Sequence, residues 1–184
     1  MLKIFSKHSF SFSSIWLNFR ELFSMTKTQI GLNVFLRFLA IGATIAAVVI
    51  MVLSHQSTKV LNLTFTAKYS NEPVFRYFVI AEAVASGYSL IVLLFTRSKN
   101  SLWRLVLILD VVIAMLLSSS VSAALAIAHV GKKGNDHAGW LPICGQVPKF
   151  CDHVNGSLIA GFAAAIIYLL LICSSFYYVP NLFP

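Results

Sequence analysis

The sequence predicts an all-α integral membrane protein: a four-helix transmembrane bundle with cytosolic N- and C-termini and short extracellular loops. Only 11% of the 184 residues are charged and 58% are hydrophobic, and the mean hydropathy is +0.82. A soluble domain normally has about 25% charged residues, so this chain has too little polar surface to coat a water-soluble core. The same hydrophobicity excludes intrinsic disorder and outweighs a nucleic-acid interpretation of the net charge of +8.

Four apolar stretches are long enough to cross a membrane. A bilayer core about 30 Å thick requires roughly 20 apolar residues in a helix, and the stretches 32–53, 74–95, 102–128 and 158–179 meet that requirement. They form a predicted membrane domain over residues 32–179. A cytosolic tail over residues 1–31 precedes it, and a short cytosolic C-terminus over residues 180–184 follows it. The first stretch is too long, and lies too far from the N-terminus, for a signal peptide.

The chemistry of the loops decides the orientation. The distribution of Lys and Arg does not decide it, because seven of these residues lie on the side of the termini and six lie on the opposite side. Loop one connects the first and second spans, and loop three connects the third and fourth. Asn62 begins an N-glycosylation tripeptide in loop one, and Asn155 begins a less favourable one at the end of loop three, close to the membrane. Cys144 and Cys151 lie in loop three, and disulfides persist in oxidising compartments. Loops one and three are therefore predicted to be extracellular.

Loop three permits two interpretations. A Cys144–Cys151 bridge would contribute on the order of 2–3 kcal/mol in the chain-entropy picture. It would build either a rigid knob that recognises a partner or a staple that only connects the third and fourth spans. No metal is expected, because His129, His137 and His153 do not follow a zinc-ligand spacing. The chain has no Cys-x-x-Cys, phosphate-loop or zincin motif, which predicts a non-enzymatic protein without a cofactor.

Three ionisable residues lie inside the predicted spans. Arg37 and Asp110 lie about six and eight residues from the cytosolic ends of spans one and three, so their depths differ by only ~3 Å. Such charges are costly in a bilayer and are usually paired, which predicts an ion pair between them. Glu82 lies in span two, ~10 Å nearer the opposite surface. A neutral carboxyl, a hydroxyl partner or a subunit interface would each accommodate it.

These three residues also permit two interpretations. They are either an ion or proton path, or structural contacts that fix the bundle. The structural interpretation is favoured, because a path needs polar groups at several depths. Small residues at four-residue spacing further predict close helix packing, within the bundle or between subunits. These are Gly42 and Ala46, Ser118, Ser122 and Ala126, and Gly156, Ala160 and Ala164.

Together these residues resemble a known family. Residues 36–38 read Leu-Arg-Phe, residues 140–144 read Trp-Leu-Pro-Ile-Cys, and Phe-Cys follows at 150–151. With four spans, an Arg in the first and an Asp in the third, the chain resembles the Casparian strip membrane domain protein-like family of plants. The resemblance covers about Gly31 to Tyr178 and is strongest to the family's first subfamily.

The resemblance implies a multi-pass plasma-membrane protein, related to MARVEL domains, that forms homo- and hetero-oligomers. The founding members build membrane scaffolds that block lateral diffusion and direct cell-wall modification. Arg37 and Asp110 match the family's intramembrane pair, and Cys144 and Cys151 match its second extracellular loop. Residues 55–73 lack the sequence block typical of the founding members. The expected partners are the chain itself, related members, the lipid bilayer and cell-wall-modifying proteins, with no nucleic acid. The alternative is a small ion channel or transporter subunit that uses the intramembrane charges.

Overall fold

The structure, a computed structural model, describes residues 26–60, 63–95 and 103–176. The chain has two compact units, residues 1–35 and residues 36–184. The described part of the first unit, residues 26–35, is helical. The interactions discussed below all lie within the second unit.

Four long helices dominate the fold: α1 (Thr26–Leu53), α2 (Pro73–Phe95), α3 (Trp103–Lys133) and α4 (Pro148–Phe176). By length and composition each includes a segment that could cross a membrane, namely Gly31–Leu53, Pro73–Leu94, Leu105–Lys133 and Pro148–Ser175. All four helices have exposed large apolar side chains, as lipid-facing helices require. The predicted class, a four-helix membrane bundle, is confirmed.

The third and fourth helices are longer than the predicted spans. α3 continues to Lys133, and α4 begins at Pro148 rather than at residue 158. Hydropathy assigns residues 148–157 to a loop because the stretch is rich in polar side chains. Its apolar residues Phe150 and Val154 nevertheless recur at helical spacing with Leu158, which follows the stretch, and all three are buried. A proline at the first helical position is also compatible with the start of a helix.

Loop one contains a β-hairpin that the all-α prediction did not include. β1 (His55–Val60) pairs antiparallel with β2 (Leu63–Lys68), in a register from His55 opposite Lys68 to Val60 opposite Leu63. Both strands contain β-branched residues, which favour extended backbone. A short 3₁₀ turn, Tyr69–Asn71, then leads into α2. The hairpin and residues 134–147 lie at one end of the bundle, which we call the loop end.

A hydrophobic core fills the loop end. The rings of Phe75 in α2 and Phe150 in α4 meet edge to face, with centroids 6.2 Å apart. Helices α1 and α3 contribute to the same core, which therefore joins all four helices. Its buried members are Ala47, Met51, Phe75, Phe78, Val121, Ala124, Val147, Phe150, Val154 and Leu158.

Candidate functional site

Arg37 and Asp110 form a buried ion pair between α1 and α3. Nη2 of Arg37 lies 2.7 Å from Oδ2 of Asp110, and both residues are buried, with 2% and 0% exposure. The structure thus brings together the two residues whose depths match in the sequence. A charge-assisted contact of this length is among the stronger polar interactions in proteins. Either residue alone would leave a buried charge uncompensated.

Tyr88 of α2 adds a third helix to this pair. Its hydroxyl lies 2.9 Å from Oδ1 of Asp110 and 3.0 Å from the carbonyl oxygen of Val106, and it can donate to either. The guanidinium carbon of Arg37 lies 5.8 Å from the centroid of the Tyr88 ring, within the range of a cation–π contact. Sequence reasoning missed Tyr88, because hydropathy alone does not distinguish an inward-facing tyrosine from an outward-facing one.

A second buried polar contact joins α2 to α4. The hydroxyl of Tyr168 donates to the carbonyl oxygen of Ala85 at 2.7 Å, since a carbonyl can only accept. The hydroxyl of Ser89 therefore donates to the Tyr168 oxygen, at 2.6 Å. Both side chains are fully buried. With the Arg37–Asp110 pair, this contact gives each of the four helices a polar link to another, and we call the two contacts together the polar core.

Glu82 lies apart from these contacts. Its side chain is fully buried, and neither carboxyl oxygen has a hydrogen-bond partner within the described part of the chain. Gly161 of α4 leaves the space that Glu82 occupies. A Cβ at position 161 would lie 2.6 Å from Oε1 of Glu82 and 2.8 Å from the ring of Phe78. The close approach of α2 and α4 therefore depends on a glycine here.

Loop three is closed by covalent and backbone contacts. Cys144 and Cys151 form a disulfide that joins the loop to the first turn of α4, with their Cα atoms 5.7 Å apart. Gly134 ends α3 with a φ of +72°, the left-handed conformation common after a helix. A Cβ there would also lie 2.6 Å from the carbonyl oxygen of Trp140. Asn135 and Trp140 exchange backbone hydrogen bonds of 2.8 and 3.0 Å.

The closed loop is also attached to its neighbours. The backbone N–H of Ile143 donates to the carbonyl of Gly131 at 2.9 Å. The side-chain oxygen of Gln56 in β1 accepts from the backbone N–H of Phe150 at 3.1 Å, which satisfies one free donor at the start of α4. Both extracellular candidates, loop one and loop three, thus contact the same helix end.

Three large apolar side chains nevertheless remain exposed on this fixed loop. Trp140 is 58% exposed, Leu141 82% and Ile143 50%. We call these three residues the loop-three tip. The sequence indicated a knob or a staple, and the structure has features of both.

The remaining candidates are distributed as follows. Asn62 lies outside the described residues, between the two strands in sequence. Asn155 is exposed but lies within α4, so its tripeptide is helical rather than in a loop. Among the described residues, no group of three or more His, Cys, Asp or Glu side chains could hold a metal ion.

Comparison with known proteins gives the chain a family. The family model described as the Casparian strip membrane protein domain matches residues 26–167. CASP-like protein 1C3 of Populus trichocarpa is 66% identical over 145 residues, 79% of this chain and 88% of that protein. CASP-like protein 1C1 of Vitis vinifera is 55% identical over 157 residues, 85% and 98% of the two chains.

CASP-like protein 1C1 of Arabidopsis thaliana is 53% identical over 148 residues, 80% of this chain and 90% of that protein. No solved structure matches the chain significantly. The family model and the relatives confirm the resemblance that the ion-pair residues and the cysteine loop indicate. The chain belongs to the Casparian strip membrane protein domain family of multi-pass membrane proteins.

Proposed function

We propose that this chain is a non-enzymatic organiser of the plasma membrane. It oligomerises through its spans, with itself and with related family members, and presents loops one and three to cell-wall partners. The observation on which the proposal rests is the loop-three tip, an apolar surface fixed by a disulfide and backbone hydrogen bonds. Exposed apolar surface outside the hydrocarbon region is costly unless it contacts a partner or the membrane. Membership of the Casparian strip membrane protein domain family is consistent with a scaffold role in the membrane.

In this proposal the termini are cytosolic and the loop end is extracellular. The disulfide supports that orientation, because such bonds are rare in the cytosol.

The exposed small residues support oligomerisation through α3. Ser118, Ser122 and Ala126 recur every four residues and are all exposed. Small-xxx-small faces permit close approach of helices in lipid. The corresponding row in α4 includes the buried Ala164 and packs at least partly within the bundle. The row in α3 is therefore the better candidate for contact with a second subunit.

The test combines crosslinking in native membranes, identification of the crosslinked partners, and fluorescence recovery after photobleaching. Trp140→Ser with Leu141→Ser should remove extracellular partners while the crosslinked oligomer persists. Ser122→Leu should weaken the oligomer, whereas Ala163→Leu, at an exposed site on α4, is the matched control. Only monomers in mild detergent, together with free lateral diffusion in cells, would reject the organiser function.

A second candidate function is a subunit of a small ion channel or transporter. The specific observation in its favour is Glu82, a buried carboxyl whose two oxygens lack partners within the described part of the chain. Flux into proteoliposomes that is lost on Glu82→Gln would support this function. Absence of flux for every ion tested would count against it.

A further inference from the structure

A groove lies beneath loop three at the loop end. Its volume is ≈ 310 Å³, and it is bordered by the start of α2, the end of α3, the loop-three tip and the first turns of α4. Buried Phe75, Phe150 and Val154 contribute apolar lining. Ligand pockets commonly have volumes of about 300–1,000 Å³, so this groove has room for one acyl chain segment or a comparably small apolar group.

Two opposite charges lie at this groove. Glu72 immediately precedes α2, and Lys132 lies in the last turn of α3. Both are exposed, and within the described part of the chain neither forms an ion pair. They lie where two spans end, which is the level of lipid headgroups in a bilayer. A ligand with an apolar chain, and with one positive and one negative charge on its polar end, would match the apolar lining, Glu72 and Lys132.

We propose that the groove binds one zwitterionic phospholipid from the leaflet at the loop end. One acyl chain lies against the apolar lining, the phosphate contacts the ammonium of Lys132, and the headgroup cation contacts the carboxylate of Glu72. Lysine is a common phosphate ligand, and Trp140 is of the type that lies at the membrane surface. An anionic lipid has no headgroup cation and would leave the carboxylate of Glu72 without a partner, and free phosphate would leave the apolar lining empty. The groove shares the loop-three tip with the proposed organiser surface, but lipid binding does not require a cell-wall partner.

The test uses the full chain in lipid nanodiscs that contain phosphatidylcholine with a photoactivatable group on one acyl chain. We expect the label to concentrate in residues 72–75, 127–132 and 140–155. Unlabelled phosphatidylcholine should compete, whereas phosphatidylglycerol should compete about fivefold less well, since one charge near a membrane surface is worth about 1 kcal/mol. Inorganic phosphate should not compete at all.

Charge reversals with matched controls locate the headgroup. Lys132→Glu and Glu72→Lys each change the local charge by two units and should lower labelling by phosphatidylcholine about thirtyfold. Lys133→Glu and Asp152→Lys change exposed charges at the same end that do not line the groove, and should leave labelling unchanged. Ala128→Phe fills the groove without altering any charge and should also reduce labelling.

Three results would overturn the proposal. The label could be distributed evenly over the four helices, as for ordinary surrounding lipid. Phosphatidylglycerol could compete as well as phosphatidylcholine in the unaltered chain. The groove could instead be occupied by a second copy, in which case a photoreactive residue at position 141 would give protein dimers rather than lipid adducts. The competition experiment needs no variant, so the proposal can be rejected even if a charge reversal prevents folding.

Discussion

The polar core and the loop end hold the same four helices together by different means. In the polar core, α1, α2 and α3 meet at Arg37, Tyr88 and Asp110, and α2 meets α4 at Tyr168. At the loop end, the helices share an apolar core and a disulfide. The two regions are stabilised differently because their surroundings differ. Lipid gives helices no hydrophobic reason to associate, so packing and hydrogen bonds must do it. At the loop end the helices and loops approach water, so apolar burial adds to the packing of the helices there.

Loss of one charge in the polar core should have the largest effect. Arg37→Leu leaves the charge of Asp110 buried without its ion-pair partner, and Asp110→Asn leaves the charge of Arg37 buried beside a neutral amide. Each change should lower the free energy of unfolding by about 3–5 kcal/mol. We expect each single variant to fail to reach the cell surface, as measured by surface biotinylation.

The double variant Arg37→Leu with Asp110→Leu is the informative control. It removes both buried charges, and replacing a whole buried pair by apolar residues is often close to neutral. We expect it to recover much of the surface delivery that either single variant loses. Normal delivery of both single variants would show that the ion pair does not hold the bundle.

Removal of the disulfide tests how the loop end is stabilised. Cys144→Ser should lower the free energy of unfolding by about 2–3 kcal/mol, because the unfolded chain regains the freedom of the closed loop. The loss of stability should be confined to the loop end. Protection from hydrogen exchange should therefore fall in residues 134–151 and persist around Tyr88. Cys173→Ser is the control, since this free cysteine is exposed on α4. Equal effects of the two substitutions would mean that the disulfide does not set the stability of loop three.

Gly161 tests the packing of α2 against α4 around Glu82. Gly161→Ala introduces a Cβ that would lie 2.6 Å from Oε1 of Glu82, and overpacking of this kind typically costs about 1–3 kcal/mol. Gly42→Ala is the matched control, because a Cβ at that helical position meets nothing within 4 Å. We expect unfolding in sodium dodecyl sulfate to occur at lower detergent fraction for the first variant alone. An unchanged midpoint for Gly161→Ala would mean that α2 and α4 separate at little cost.

The sequence predicted well what depends on hydrophobicity and depth. The four spans follow from apolar length, and the proximity of Arg37 and Asp110 follows from their similar distances from one membrane surface. The family resemblance rested on the same residues and on the cysteine loop, and it is confirmed.

The rest depends on how the helices are rotated and on contacts distant in sequence. Nothing local indicates that Tyr168 faces Ser89, since 79 residues separate them. The early start of α4 was hidden because its polar face resembles a loop, although Phe150 and Val154 lie on its buried face. The hairpin receives support from Gln56, whose contact with Phe150 spans 94 residues. Such pairings exist only in the folded bundle.

Tyr88→Phe is the smallest change that tests the polar core, because it removes the hydroxyl of Tyr88 without changing its ring. Tyr88→Phe should lower the free energy of unfolding by about 0.6 kcal/mol, and by no more than about 1.7, the range for hydrogen bonds between membrane helices. The cation–π contact with Arg37 is retained, so surface delivery should survive. Tyr77→Phe is the control, since its exposed hydroxyl makes only a 3.3 Å contact with Ser119. If Tyr88→Phe were as damaging as Asp110→Asn, the hydroxyl rather than the ion pair would be the main stabilising group of the polar core.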